Sequence, residues 1–247
     1  MSKRSAQKTA IVTGGANRIG AAIARELHDM GMDVVIHFNS STTAASTLVQ
    51  KLNAARPDSA HLLQSDLREP DGCRTLIEQV YAINKRVDVL INNASVFYPT
   101  SLQEFTTGDW DELMSVNLKA PLFLAQAAAP YLARTRGSII NLADIYADQP
   151  LGNHIIYNIS KAGLIMLTKS LAKELGPDVR VNAISPGVIF WHDNMNENEK
   201  NGILESTILK QQGNAKDISN AVRYLIDYAD YTTGQVLVID GGRTLCS

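Results

Sequence analysis

The feature that most constrains the fold of this chain is a regular alternation of short apolar runs with longer amphipathic ones. Such alternation is typical of repeated βα units, which form a parallel sheet with helices on both faces. Val87–Ile91 is nearly continuous in apolar residues, as a strand buried on both faces requires. We therefore predict one α/β domain over residues 1–247 with a doubly wound sheet. Its seven predicted strands are Thr9–Thr13, Val34–Phe38, His61–Gln64, Val87–Ile91, Ser138–Leu142, Arg180–Ile184 and Val236–Ile239.

Two predicted helical segments, Leu118–Ala133 and Ala162–Leu167, are apolar around most of their circumference. A helix that packs only on its sheet shows a polar outer face. These segments are therefore either deeply buried within one large domain or part of a symmetric contact between subunits. We favour the subunit contact.

Charge and cysteine content argue against several classes of partner. A formal net charge of −2 gives no electrostatic reason to expect nucleic acid or an anionic membrane surface. Cys73 and Cys246 lie far apart and outside any metal-binding spacing, so we expect free thiols in a reducing compartment and no metal. Met1–Lys8 is polar and basic with no long apolar run behind it, which predicts a cytoplasmic protein without signal peptide or membrane anchor.

A glycine-rich turn, Thr13–Gly20, follows the first strand and opens the first helix. Glycine permits a tight turn and lets backbone N–H groups approach a pyrophosphate. The N-terminus of the following helix stabilises the same negative charge. The position of this turn in a strand–helix unit predicts a dinucleotide-binding, Rossmann-type fold.

The end of the second strand indicates which dinucleotide is bound. An NAD site normally places an acid there to hold the ribose 2′-hydroxyl. No acid is present, and Asp33 lies at the opposite end of the strand. Arg18 in the glycine turn could reach a 2′-phosphate, because its planar donors bind phosphate in pairs. NADPH is therefore the expected cofactor, with further contacts from His37, Phe38, Asn39, Ser40 and Ser41.

A tyrosine and a lysine, Tyr157 and Lys161, stand one helical turn apart after the fifth strand. A free phenol has a pKa of about 10 and is a poor acid or base near neutrality. A nearby ammonium is expected to lower that pKa. Tyr157 would then pass a proton to substrate while a nicotinamide gives hydride.

The one irregular stretch is Val188–Gly213, which contains several asparagines and glutamates. Trp191 lies just before these polar residues. A long polar loop with an apolar anchor is often a mobile active-site lid. We favour a lid over about residues 188–213; an ordinary surface insertion with a short helix is the alternative.

Taken together, these motifs resemble the short-chain dehydrogenase/reductase family over essentially the whole chain. The glycine turn, Asn92–Ala94, Asn117, the Tyr157/Lys161 pair and Pro186–Gly187 occur in the family's order. The resemblance implies that Tyr157 donates the proton, that Lys161 also binds the nicotinamide ribose and that Asn117 holds a water in the proton relay. It implies further cofactor contacts from Gly14, Ile19, Gly20, Asp66, Leu67, Asn93, Ala94, Ser95, Pro186, Gly187 and Val188.

Three positions depart from the usual family pattern. Arg18 replaces the middle glycine of the turn, and Ser95 replaces the glycine of the usual NNAG motif. Asp144 stands where the family usually has a catalytic serine. A carboxylate cannot donate a hydrogen bond unless it is protonated, so an ordinary ketone is a poor fit.

These departures, with the segment Asn93–Pro99, are similar to the pteridine reductase branch of the family. That resemblance implies that Arg18 binds NADPH phosphates and that Phe97 stacks on a flat pterin ring, worth about 0.5–1.5 kcal/mol beyond burial. Asp144 would handle the proton that a ring nitrogen needs as hydride reduces the adjacent C=N bond. The implied substrate contacts are Ser95, Phe97, Asp144, Tyr157, Gly187 and Trp191.

Three functions remain open at this point. The first is reduction of dihydropterins, and also of oxidised pterins or dihydrofolate, by NADPH. The second is a carbonyl reductase for a sugar, steroid or acyl thioester that tolerates Asp144, and the third is an NADPH-binding regulator without turnover. Retention of Tyr157, Lys161 and Asn117 disfavours the third. A homotetramer is typical of the family.

Overall fold

The computed structural model describes residues 7–191 and 195–246. Within them lies a seven-stranded sheet in the order β3-β2-β1-β4-β5-β6-β7, and every strand pairing is parallel. This confirms the predicted α/β class and doubly wound sheet, with each predicted strand end within two residues of the observed one. The strands are β1 Thr9–Val12, β2 Asp33–Phe38, β3 Ala60–Gln64, β4 Val89–Asn92, β5 Ser138–Leu142, β6 Arg180–Pro186 and β7 Val236–Ile239.

Helices cover both faces of the sheet and bury it in two separate cores. α1, α2 and α8 pack on one face, and α3, α5 and the end of α6 pack on the other. Alternate strand residues supply the two cores: Val12 belongs to the first and Ile11 to the second, as a sheet buried on both sides requires. The helices are α1 Arg18–Asp29, α2 Thr42–Ala55, α3 Pro70–Asn84, α4 Thr107–Met114, α5 Ala120–Thr135, α6 Ile155–Leu175, α7 Glu197–Glu205 and α8 Ala215–Asp227. None of the described helices is long and apolar enough to cross a membrane.

Two short helices, α4 and α7, were not predicted from apolar periodicity. Both begin with a capping box, at Thr106 with Asp109 and at Asn196 with Glu199. Such a box satisfies two otherwise unbonded backbone N–H groups and stabilises the first turn. The stretch predicted as irregular therefore contains a nine-residue helix, while residues 192–194 of the predicted lid lie outside the described part of the chain.

The predicted helix Leu118–Ala133 does not begin as a regular α-helix. α4 runs into a π-helical turn at Ser115–Lys119, and α5 follows it directly. A π-turn inserts an extra residue into the helical ladder and is frequently found at functional sites. Asn117 lies within this turn.

The apolar helices α5 and α6 are not fully buried within the chain. Leu122 is 43% exposed, Ile159 is 44% exposed and Met166 is 61% exposed. Deep burial within one large domain therefore does not account for these side chains. Each of them is open to solvent in the single chain.

The strand order reverses between β1 and β4, since β1 pairs with β2 on one side and with β4 on the other. The loops that follow these two strands lead to opposite faces of the sheet and leave a crevice at their carboxyl ends. Ligands of open α/β sheets bind at this kind of crevice. A ligand site is therefore expected between the segments that follow β1, β4, β5 and β6.

Candidate active site

The glycine turn after β1 is held against the end of β4 by a set of hydrogen bonds. The Thr13 hydroxyl accepts from the backbone N–H groups of Asn93 and Ala94, each at 3.0 Å. The Asn93 amide donates to the carbonyls of Thr13 at 2.8 Å and Gly14 at 3.0 Å. Gly14 has φ +59°, and a Cβ there would lie 2.9 Å from the Ala94 Cα. Only glycine fits this close approach in a left-handed conformation.

His37 supports the same turn from the neighbouring strand. Its Nδ1 accepts the Gly14 N–H at 3.2 Å, and its Nε2 lies 2.9 Å from the Ser65 carbonyl oxygen. An N–H can only donate and a carbonyl can only accept, so the ring is neutral with its proton on Nε2. Burial lowers the pKa of His37, which favours the same neutral form. The predicted cofactor residue His37 therefore also positions the glycine turn.

Two cavities meet at this turn. The first, here called the β2 cavity, has a volume of about 340 Å³ and lies at the end of β2. The second, here called the central cleft, has a volume of about 400 Å³ and lies above the ends of β4, β5 and β6. Both are bordered by Gly14, Asn17, Ala94 and Ser95.

The two cavities bring together most of the predicted site residues. The β2 cavity is lined by His37, Phe38, Asn39, Ser40 and Ser41. The central cleft is lined by Arg18, Ile19, Gly20, Asn93, Phe97, Asp144, Tyr157, Lys161, Pro186, Gly187 and Val188. A dinucleotide fits this arrangement, because its adenosine and nicotinamide halves must lie on opposite sides of a pyrophosphate bound at the glycine turn.

Arg18 does not lie with the residues expected to share a 2′-phosphate with it. It lines the central cleft, and its guanidinium carbon is 5.7 Å from the centre of the Phe190 ring. Its φ of +48° is a conformation that glycine adopts freely, as expected where an arginine replaces a glycine. The arginine that lines the β2 cavity is Arg68.

Three further predicted residues lie elsewhere. The Asp66 carboxylate is bound by the Arg68 guanidinium, and Leu67 is buried in the core against α3 and α5. Trp191 borders a third cavity of about 480 Å³ between α7, α8 and β7. The described structure thus places Leu67 and Trp191 away from the walls of the central cleft.

Tyr157 and Asp144 form a direct hydrogen bond at the base of the cleft. The Tyr157 hydroxyl donates to the Asp144 Oδ2 at 2.7 Å, and the Asp144 Oδ1 accepts the Tyr146 N–H at 3.0 Å. Lys161 is fully buried one turn along α6, where its Nζ donates to the Leu142 carbonyl at 2.9 Å. The Lys161 Nζ lies 5.6 Å from the centre of the Tyr157 ring.

The electrostatics of this group differ from the sequence-based expectation that Lys161 lowers the pKa of Tyr157. Burial and the Asp144 charge raise the pKa of Tyr157 well above its ordinary value. Burial also raises the pKa of Asp144 and lowers that of Lys161 to about 8. Burial of the phenol is the main cause, and the Asp144 carboxylate in direct contact with it adds to the effect, whereas the Lys161 ammonium is bonded to the Leu142 carbonyl. Tyr157 is therefore a protonated donor in this state of the site.

Asn117 connects the loop after β4 to α6. Its Oδ1 accepts the Val96 N–H at 2.8 Å and the Ser95 hydroxyl at 3.1 Å. Its Nδ2 donates to the Val96 carbonyl at 3.0 Å and the Ser160 hydroxyl at 3.1 Å. The side-chain amide is thus fully engaged by protein groups, and the expected water-binding role of Asn117 stays a prediction.

Phe97 forms an aromatic wall of the cleft. Its ring stacks on His154 with centroids 4.7 Å apart and an interplanar angle of 19°. It meets the Tyr157 ring nearly perpendicularly, also at 4.7 Å. These contacts fix the orientation of Phe97 beside the Tyr157 ring.

Sequence reasoning missed several residues that border the site. Tyr146 stands two residues after Asp144, so its side chain could have been proposed from proximity alone. Phe190, Met195 and Ile203 lie in or beside the predicted lid, and no periodicity marks them as wall residues. The missed residues of the two cavities include Arg68, Tyr146, Phe190, Met195 and Ile203.

Comparison of the sequence with those of known proteins identifies the family. Residues 14–244 match a short-chain dehydrogenase profile described as Enoyl-(Acyl carrier protein) reductase. The chain is 35% identical to pteridine reductase 1 of Leishmania tarentolae, covering 96% of each chain. It is 33% identical to the 3-oxoacyl-[acyl-carrier-protein] reductase FabG of Staphylococcus epidermidis, covering 95% of this chain and 98% of the relative. The chain therefore belongs to the short-chain dehydrogenase/reductase family of nicotinamide-dependent oxidoreductases.

Proposed function

We propose that this protein is an NADPH-dependent pteridine reductase that reduces dihydropterins to their tetrahydro forms. The proposal rests above all on the 2.7 Å hydrogen bond by which Tyr157 donates to Asp144. A serine at that position would orient a carbonyl oxygen with its hydroxyl, whereas a buried carboxyl group stores or transfers a proton. Reduction of a C=N bond consumes one hydride at carbon and one proton at nitrogen, and the Tyr157–Asp144 pair can deliver that proton without a hydroxyl group that orients a carbonyl.

NADPH is the cofactor that the residues after β2 favour. The exposed residues Asn39 and Ser40 border the β2 cavity, and no carboxylate follows that strand to accept from a ribose 2′-hydroxyl. The central cleft has room beside Pro186–Val188 for the nicotinamide half. When bound there, the nicotinamide supplies the hydride.

The chain's own residues then control the proton. Burial and the Asp144 charge keep Tyr157 protonated, and burial raises the pKa of Asp144, so the carboxylate readily accepts a proton. The two groups therefore share the phenol proton through their hydrogen bond at the base of the cleft. Lys161, held by the Leu142 carbonyl, provides a positive charge that orients the cofactor ribose.

The walls of the cleft suit a flat heterocycle. Phe97 offers an aromatic surface whose orientation is fixed by His154 and Tyr157. Ser95 and Gly187 border the same space, so a ring lying on Phe97 has polar and backbone groups near its edge. The segment over residues 188–213 forms one side of the cleft through Phe190 and Ile203, and we keep the proposal that it acts as a lid.

Reduction of a 3-oxoacyl thioester is the second candidate. The FabG relatives are nearly as similar in sequence as the pteridine reductase, and the matching profile is described as a reductase of acyl-carrier substrates. A regulator that binds NADPH without turnover is the third, and it is disfavoured because the Tyr157–Asp144–Lys161 group is fully assembled.

NADPH oxidation across a substrate panel tests the proposal directly. We expect absorbance loss with dihydrobiopterin or another dihydropterin, tested alongside dihydrofolate, and little with a 3-oxoacyl thioester or simple ketones. Turnover of the thioester alone would establish the second candidate instead. NADPH binding without oxidation in any arm would favour the regulator.

Asp144→Asn tests the role of the carboxyl group while preserving its size. General acid catalysis is worth roughly 10²- to 10⁴-fold, so dihydropterin turnover should fall at least about 100-fold. NADPH affinity should change less than about twofold, since no charged cofactor contact is removed. Asp148→Asn, an exposed change in the same loop, is the matched control and should keep full activity. Near-normal turnover in Asp144→Asn would remove Asp144 from the mechanism.

The pKa of Lys161 predicts how activity varies with pH. Burial lowers this pKa to about 8, so a rise in pH through that value removes the ammonium charge in the free enzyme. We expect kcat/KM, which reports free-enzyme ionisations, to fall on the alkaline side with a midpoint near that pKa. NADPH affinity measured over the same range should fall in parallel. A flat kcat/KM profile up to about pH 9.5 would contradict the assignment.

The exposed apolar side chains of α5 and α6 support a contact between subunits, and the usual state of the family makes a homotetramer the expected assembly. Leu122, Ile159 and Met166 would be covered by the same helices of a second subunit, which is how a symmetric contact buries one patch twice. Light scattering should give a mass of four chains, each of 26.9 kDa. The double change Ile159→Glu and Met166→Glu should reduce that mass. A wild-type monomer would refute the proposal.

A further inference from the structure

We infer that Arg68 is the cation that recognises the 2′-phosphate of NADPH and thereby sets the preference for NADPH over NADH. The inference rests on the NADPH use proposed above. It assigns to the loop after β3 a role that the sequence pattern gave to Arg18 in the glycine turn.

The pairing register of β2 and β3 places Arg68 at the end of the sheet where the β2 cavity lies. β2 and β3 pair in parallel, with Phe38 opposite Gln64 at their carboxyl ends. The residues that follow each strand therefore leave the sheet side by side. Arg68 borders the same cavity as Asn39, Ser40 and Ser41, whereas Arg18 borders the central cleft beside Phe190.

The charges around the β2 cavity make a single arginine decisive. Arg68 is the one permanent cation among the described residues that line it, because His37 is held neutral by its two backbone partners. Glu112 lines the same cavity and accepts from the Tyr98 hydroxyl at 3.1 Å. A phosphate dianion facing Glu112 without Arg68 would meet only like charge and neutral dipoles.

Asp66 orients Arg68 without using all of its donors. The Arg68 Nε lies 3.0 Å from both Asp66 carboxylate oxygens, and its Nη2 lies 2.5 Å from Oδ2. These contacts occupy one edge of the guanidinium. The other edge, with Nη1, forms no hydrogen bond within the described residues, and the Arg68 side chain is 53% exposed. Arginine can therefore bind a phosphate through its free edge while Asp66 holds the opposite one.

Equilibrium binding of NADPH and NADH to three variants tests the inference. Arg68→Ala should reduce the affinity for NADPH about 10- to 100-fold, which is the range expected for loss of a charge-assisted hydrogen bond. The affinity for NADH should change less than about twofold. Arg18→Ala should weaken the binding of both cofactors by a similar factor. Arg18 lines the central cleft, where the nicotinamide half would bind, and NADPH and NADH have the same nicotinamide half. Arg74→Ala, an exposed arginine on α3 paired with Asp71, is the control and should affect neither.

A nicotinamide-free probe separates adenosine-side recognition from effects on the cleft. Adenosine 2′,5′-bisphosphate should lose affinity in Arg68→Ala by the same factor as NADPH, while adenosine 5′-monophosphate should not. This readout does not depend on turnover and stays valid whatever the substrate is.

The outcomes distinguish failure of the inference from failure of the proposed function. If the wild-type protein binds NADH as tightly as NADPH, the proposed cofactor is wrong and Arg68 has no 2′-phosphate to bind. If the wild type prefers NADPH but Arg68→Ala keeps that preference, the inference is wrong and the cofactor proposal stands. If Arg18→Ala loses the preference for NADPH instead, Arg18 in the glycine turn recognises the 2′-phosphate.

Discussion

The hydrogen bonds that join Thr13 and Gly14 to Asn93 and Ala94 hold the site together. They cross the sheet where the strand order reverses, and both cavities border them. A parallel sheet alone would leave the loops after β1 and β4 free to diverge to opposite faces. Because these loops are bonded to each other, the glycine turn and the central cleft keep a fixed relative position, which a reaction between a cofactor and a substrate requires.

Burial decides the electrostatic character of the proton-handling group. Lys161, Tyr157 and Asp144 share one poorly solvated space, and each is shifted toward its neutral form. A phenol and a carboxyl group that share one hydrogen bond titrate as a coupled pair. Because of this coupling, the identity of residue 144 affects the protonation of Tyr157.

The sequence was sufficient to predict the sheet, because strands buried on both faces must be continuously apolar and helices between them must be amphipathic. It also predicted that Phe97, Asp144, Tyr157 and Lys161 would converge, since the ends of parallel strands meet at one edge. It did not predict the direction of Arg18, because a side chain on a left-handed residue of a turn can point to either side of it. Leu67 and Trp191 do not line either the β2 cavity or the central cleft in the described structure, and their proposed cofactor and substrate contacts stay predictions.

The π-turn at Asn117 has a consequence for how the protein folds. The Asn117 amide bonds to Val96, 21 residues away, and to Ser160, 43 residues away, so it closes two loops at once. Closing such loops costs chain entropy that is recovered only when all three segments are in place. The contacts of Asn117 with Val96 and Ser160 therefore form only when the loop after β4 and α6 have both reached their places, so one amide side chain couples segments that are far apart in sequence.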